Sequence, residues 1–244
     1  MDVAKRGLAR STLAEQVASH LRDHIAKNQL RPGDPLPAEI ELSQELGVSR
    51  GIVREASRLL VAAGLIHVAS GRRPRVQPLH ARVIKGFFDH ALATEQATTL
   101  QVLEMRQALE VAAAGHAAQR RDPDDIARLE GIVRALREHV EDIARFVEHD
   151  VHFHMALADA TGNPFFKLFL SSIGEIMAKS MKIGLISRRS QQEIDASLEA
   201  HEEIFERVRA GEVDAAERAM RRHFSDAVEA IETELAGPGG GTSD

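Results

Sequence analysis

An aspartate and three histidines lie on the apolar stripes of three helical segments. Asp150 and His154 are four residues apart, so one helix carries both on a face shared with Val147, Val151 and Ala158. His201 shares a face with Ile204, Phe205 and Val208, and His223 with Met220, Ala227 and Ile231. An ionised carboxylate turned into an apolar core is costly unless something pairs with it. One carboxylate and three imidazoles converging in a helical core make a site for a divalent metal. A lone core histidine is more often hydrogen-bonded than ligated, so the signal lies in the quartet and not in any one ring.

The surrounding pattern is helical almost throughout. After Pro78 the periodicity predicts helices over roughly 80–93, 98–121, 123–142, 145–161, 165–186, 190–210 and 212–235. Asp122-Pro123, Gly162-Asn163-Pro164 and Gly211 mark boundaries between them. The GPGGGTSD ending and residues 1–9 read as flexible tails.

Residues 10–78 read differently. Leu13, Val17, Leu21 and Ile25 predict a helix over Ser11 to Asn28, stopped by the turn-rich run Leu30 to Pro37. A short helix follows over Ala38 to Leu46, and Gly47 ends it. Ser49 is a good N-cap for a further helix reaching Ala63, with Leu42, Leu46, Val53, Leu59 and Leu60 expected to be buried. Leu65 to Val68 and Pro74 to Val76 flank Ser70-Gly71-Arg72-Arg73 and predict a two-stranded hairpin. Helix, short helix, tight turn, helix and basic hairpin make a winged helix-turn-helix. The fold class is thus mainly α: a winged helix-turn-helix at 10–78, a linker helix at 79–95 and an all-helical antiparallel bundle at 96–235.

Charge separates the same two parts. Residues 1–78 hold 12 basic and 8 acidic residues, a net of +4, whereas the whole chain carries −6. A basic module on an acidic body suggests that the first part alone meets a polyanion. The second helix of the motif opens with Ser49, Arg50, Gly51, Ile52 and Arg54. Its N-terminal end is expected in the major groove, where arginine reads guanine with two hydrogen bonds. Ser49 and the first backbone amides suit a phosphate. Arg72, Arg73 and Arg75 on the wing reach the adjacent groove or backbone. A single arginine would be a solvated surface charge; the ordered set is more specific. Trp and Tyr are absent, so base stacking on aromatics is not the expected mode.

The stretch LPAEIELSQELGVSRGIVREASRLLVAAGLIHVASGRRPRV, residues 36–76, resembles the GntR family of bacterial transcription regulators. The family pattern stands here as Leu36-Pro37-Ala38-Glu39, Gly47-Val48-Ser49-Arg50, Val53-Arg54-Glu55, Gly64-Leu65-Ile66 and the wing glycine Gly71. The resemblance implies a DNA-binding set of Glu39, Ser49, Arg50, Gly51, Arg54, Gly71, Arg72 and Arg73. Ile40 stands where the family often has a DNA-touching Arg, Gly51-Ile52 where a hydroxyl residue or Pro is common, and Ser57 where a small apolar residue is usual. These departures bear on which operator is read more than on DNA binding itself.

The later helices resemble the FCD ligand-binding domain that accompanies one GntR subgroup. The matching motifs are Glu104-Met105-Arg106-Gln107-Ala108-Leu109-Glu110, Asp150-x-x-Phe153-His154 and Thr161-Gly162-Asn163-Pro164, with the two later histidines. The resemblance implies that Asp150, His154, His201 and His223 bind a divalent metal, zinc first, with nickel or manganese as alternatives. It implies that Arg106 meets the carboxylate of a small effector, with Asn163 beside it. From the residues alone, Arg106 can instead pair with Glu110 at i+4, and Asn163 is a loop or cap residue. His149 and His152 are expected at the surface.

The expected function is a metabolite-responsive transcription regulator, a repressor relieved by a small organic acid. It would act as a homodimer on a pseudo-palindromic double-stranded operator. Two other readings are compatible with the quartet. One is a metal-dependent hydrolase or lyase with Glu110 or Glu175 as base, which leaves the DNA-reading module unexplained. The other is a purely structural metal held by four protein ligands. The chain has no Cys, which excludes disulfides, thiolate metal sites and a Cys nucleophile and suits a cytoplasmic protein. No apolar run approaches the roughly 18 residues of a membrane span, and MDVAKRGLAR lacks the apolar core of a signal peptide.

Overall fold

Side-chain caps decide where most of the helices begin. In the computed structural model, which describes residues 11–179 and 191–236, the hydroxyl of Thr12 accepts from the amide of Glu15 and the Glu15 carboxylate accepts from the amide of Thr12. This reciprocal cap opens α1 (Leu13–Lys27). α2 (Glu39–Leu46) ends at Gly47, whose φ of 63° places it in the left-handed region that glycine adopts without strain. Ser49 then caps α3 (Arg50–Ala62) by accepting from the amide of Ile52. The wing is short: β1 (Ile66–His67) pairs antiparallel with β2 (Arg75–Val76) in the register Ile66 to Val76 and His67 to Arg75.

These elements enclose a small core of Val17, Leu21, Leu36, Leu42, Val53, Leu60 and Ile66. The expectation for Leu59 is corrected: it is 40% exposed, whereas its neighbour Leu60 is 2% exposed. The inward stripe of α3 is Val53, Ala56, Ser57 and Leu60, and Leu59 falls beside it. Leu46 is only partly buried.

The chain divides into two compact units, Met1–Val83 and Ile84–Asp244. α4 (Arg82–Ala93) runs across the division, and Phe88 and Leu92 pack against the Val102, Leu170, Ile173 and Met177 cluster of the second unit. The remaining helices are α5 (Thr99–Arg120), α6 (Pro123–Glu138), α7 (Ile143–Ala160), α8 (Pro164–Ser172), α9 (Gln191–Ala210) and α10 (Val213–Ala236). Thr98, Asp122, Asp142 and Asn163 cap α5 to α8 in turn. α6 stops at Glu138, earlier than the periodicity predicts. The expected helix over 165–186 is interrupted at Ile173, just before Gly174, and is helical again over 174–179. Its remainder lies outside the described residues, as do the tails, apart from Ala236.

α5 is the central helix, packed against α7, α9 and α10. The later part of its inward face is small: Ala113, Ala114, Gly115, Ala117 and Ala118 are all buried. A Cβ on Gly115 would run into the side chain of Glu217 on α10, which would have to move aside. Large side chains fill the space around that face, among them Leu129, Leu136, Phe146, Phe153, Leu157 and Phe224. Among the described residues, no helix is long and apolar enough to cross a membrane.

The contrast within α3 is measurable. Leu60→Ala removes a fully packed side chain and is expected to cost about 2–5 kcal/mol. Leu59→Ala should stay within about 0.5 kcal/mol, as surface changes do. Urea unfolding followed by circular dichroism checks both, since the chain has no Trp or Tyr to report by fluorescence.

Candidate metal centre and nucleic-acid interface

α7 brings Asp150 and His154 to one face, α9 brings His201 and α10 brings His223. All four are buried, and one ligating atom from each lies within 4.8 Å of the others. The sequence quartet is therefore assembled in space. Phe153 and Phe224 wall it, with the Phe153 ring 5.0 Å from His201 and the Phe224 ring 5.8 Å from His223.

The groups behind each ring decide which nitrogens face inward. The Nδ1 of His201 lies 2.7 Å from the carbonyl of Ser197, one turn earlier, so Nδ1 carries the proton and Nε2 a lone pair. That Nε2 lies 2.7 Å from Asp150 Oδ1 without the alignment of a hydrogen bond. The Nδ1 of His154 faces the carboxylate of Glu110, which leaves its Nε2 toward Asp150, 3.7 Å from Oδ2. Asp150 Oδ2, His154 Nε2 and His201 Nε2 are all buried with no hydrogen-bond partner among the described residues. Acceptor atoms crowded together without a proton between them repel one another. An imidazolium at His201 would answer one contact and leave the rest. One cation among the four answers all of them, so the residues fit a divalent metal bound by nitrogen and oxygen.

The electrostatics point the same way. Burial alone would raise the Asp150 carboxyl, but the His201, His154 and His223 rings outweigh it and hold the group well below the usual carboxylate range. Burial pushes His223 well below the usual imidazole range, and His201 and His154 push it further, which favours the neutral ring that ligates metals.

Glu110 has a larger part here than its place in the sequence suggests. It is almost fully buried and accepts from Nε of Arg106 on its own helix while facing His154 on α7. Burial would raise its carboxyl, but Arg106 and His154 hold it below the ordinary range. The i+4 spacing from Arg106 signals the first contact; nothing local signals the second. Arg106 itself is buried, its guanidinium 4.8 Å above the Phe224 ring, and its Nη2 has no partner among the described residues. Asn163 caps α8 through its side-chain oxygen, which accepts from the amide of Phe165 at 3.1 Å. His152 is exposed and His149 half-buried beside His139, both away from the quartet.

In the first unit, Ser49, Arg50, Gly51 and Arg54 are exposed along the start of α3, and Gly71, Arg72 and Arg73 along the wing. Arg50 and Arg72 have no ion-pair partner among the described residues. Arg54 donates from Nε to Glu39 at 2.9 Å. Arg73 donates to Glu41 at 2.5 Å, and the other Glu41 oxygen accepts from the amide of Ala38 at 2.9 Å. Arg75 is tied to the carbonyl of Gly33 at 2.6 Å. Glu39 and Glu41 thus fix two of the expected DNA-reading arginines, across 15 and 32 residues of chain.

Comparison with known proteins agrees with both halves. Residues 13–76 match the family described as bacterial regulatory proteins, gntR family, and residues 101–226 match the FCD domain. The transcriptional regulator LutR of Bacillus subtilis is 30% identical over 206 residues, covering 83% of this chain and 93% of that protein. The transcriptional repressor NanR of Cronobacter sakazakii is 28% identical, covering 91% and 86%. The solved GntR structure from Streptococcus agalactiae superposes with a TM-score of 0.70 at 26% identity, covering 89% and 99%. These relatives are transcription regulators and not enzymes. With its winged helix-turn-helix and its helical quartet-bearing unit, the chain belongs to the GntR family of transcription regulators and carries an FCD domain.

Proposed function

We propose that the chain is a metabolite-responsive repressor that releases DNA when a small organic acid binds beside a divalent metal. The observation that carries this reading is the pair of unanswered polar groups in one buried region. Asp150, His154 and His201 present acceptors without partners, and Arg106 presents a donor without one. A bound divalent ion, zinc first, would supply positive charge beside that donor. Arg106 then offers a planar fork to a carboxylate. A hydroxy- or keto-acid or sugar acid, with an oxygen next to its carboxylate, fits that pair of charges. Asn163 would join the effector set next to its α8 cap, in which its oxygen accepts from the amide of Phe165.

A homodimer with two α3 helices about one DNA turn apart would read a pseudo-palindromic operator in the cytoplasm. Arg50 and Arg54 are the base readers, with Ser49 and Gly51 letting the helix start approach a phosphate. Gly71, Arg72 and Arg73 form the wing contact, and Glu39 aims Arg54. The competing reading is a purely structural ion, which four protein ligands can close. Metal removal separates the two: loss of fold marks a structural ion, loss of acid binding alone marks a sensor.

Purified protein should hold about one divalent ion per chain by elemental analysis, since structural and catalytic sites of this type are mononuclear. His201→Ala should lose the ion; equal content in both proteins would remove His201 from the ligand set. Protons compete for imidazole nitrogens, so metal affinity should fall as pH drops through about 6.5. Asp150, Glu110 and His223 all bind fewer protons folded than unfolded. The metal-free protein should therefore also lose stability as pH falls, first below the usual imidazole value and then through the carboxylate range.

On DNA, Arg50→Ala and Arg54→Ala should each cost about 1–3 kcal/mol of specific binding if each reads a guanine with two bonds. Arg72→Ala should weaken binding evenly across sequences and flatten its salt dependence. Titrations on operator and scrambled duplexes at several salt concentrations check this, and unchanged binding by both helix variants would remove α3 from the groove. For the effector, a thermal-shift screen of small organic acids supplies the ligand. Arg106→Lys keeps the charge without the fork and should still weaken its binding in calorimetry; equal affinity would leave Arg106 a partner of Glu110 only.

A further inference from the structure

We propose that Glu110 is a positioning residue that transmits the state of Arg106 to the metal-facing ring of His154. The inference rests on the reading of the quartet as a divalent-metal site.

The two oxygens of the Glu110 carboxylate face different helices. Oε1 accepts from Nε of Arg106 on α5, and Oε2 lies in close contact with Nδ1 of His154 on α7, without the alignment of a hydrogen bond. All three side chains are at most 4% exposed. The three groups form a line whose ends are both open. At one end is Arg106 Nη2, a buried donor without a partner; at the other is His154 Nε2, a buried acceptor without one. The donor end suits an anion and the acceptor end a cation.

The line has a chemical consequence. An ionised carboxylate only accepts, so Glu110 holds the His154 proton on Nδ1 and keeps the Nε2 lone pair turned to Asp150. A carboxylate behind an imidazole also makes the ring a stronger ligand. Arg106 draws on that same carboxylate. An anion taken up at Nη2 offsets the Arg106 charge and leaves more of the Glu110 charge on His154. With a divalent ion present, the ion, Arg106, Asp150 and Glu110 sum to a single positive charge. One carboxylate anion cancels it. Cation and anion should therefore favour one another, by reciprocity of coupled binding. A purely structural Arg106–Glu110 pair would leave the effect of Arg106 on the metal independent of Glu110.

The test is a double-variant cycle on full-length protein, with zinc affinity read by competition with a chromogenic chelator. Glu110→Gln is expected to weaken zinc binding about 10–100-fold, the usual effect of losing such a partner. Arg106→Gln should tighten zinc binding several-fold alone and by clearly less when Glu110→Gln is already present. Wild-type affinity in Glu110→Gln, or an equal Arg106→Gln effect in both backgrounds, overturns the proposal. His201→Ala is the control for the underlying reading. If it binds zinc like wild type, the quartet is not the metal site, and that failure is distinct from a failure at Glu110. Because Glu110→Gln leaves a buried guanidinium unpaired, circular dichroism must show it folded. The tautomer of His154 in the wild-type protein, from its long-range proton–nitrogen NMR correlations, decides independently. A proton on Nδ1 is expected; a proton on Nε2 overturns the proposal.

Discussion

The carboxylate of Asp150 is the constraint around which the second unit is arranged. Moving an isolated ion of that kind into a low-dielectric interior costs several kcal/mol even after relaxation. The chain meets this cost with position and not with exposure. Asp150 is turned toward three imidazoles drawn from three helices. Those helices must converge for the carboxylate to be tolerated, so the site and the bundle specify each other. The surrounding contacts hold the rings in place: a backbone carbonyl behind His201, a carboxylate behind His154, and phenylalanines at their edges. α5 packs against α10, the helix that carries His223, and Arg106 of α5 lies over the Phe224 ring beside it.

The first unit handles charge in the opposite way. Its core is apolar, and its ion pairs sit at the surface. The Arg54–Glu39 and Arg73–Glu41 pairs are partly exposed, and such pairs contribute about 0–1 kcal/mol each. Their worth lies in geometry. Glu39 holds Arg54 by Nε, which leaves the terminal nitrogens free to point outward. Glu41 serves the cap of α2 and the wing arginine at once, so the wing is registered against the helix that precedes the turn.

How much of the molecule is legible in its sequence follows the range of the interactions involved. Caps, glycine stops and helical periods are local, so Gly47, Ser49, Pro123 and the Asp150–His154 spacing can be read directly. The quartet is legible because a carboxylate and three imidazoles on apolar stripes must find partners once buried, and they can find them in one another. Leu59 misleads because a hydrophobic residue beside a stripe resembles one within it, and only the phase of α3 against its neighbours separates Leu59 from Leu60. Glu39, Glu41 and Glu110 act through contacts 15 to 44 residues away in sequence, and an acidic residue on a helix gives no sign of such a partner.

The two treatments of charge suit the two tasks of a regulator. Coupling between two ligands commonly amounts to 1–3 kcal/mol, about 5–150-fold in affinity. Exposed pairs contribute too little to carry that, and salt screens them further. The buried line from Arg106 through Glu110 to His154 can carry it, because charges interact strongly where water is excluded. In the proposed DNA contacts, the exposed arginines of α3 and the wing need the reverse property. Arg73 would exchange the Glu41 carboxylate for a phosphate or a base edge, and Arg54 would keep Glu39 at Nε and offer its terminal nitrogens; weak, exposed pairing suits both. An exposed Arg106 would lose its coupling to screening. Under the proposed roles, the placement of each arginine thus matches the free energy its task would require.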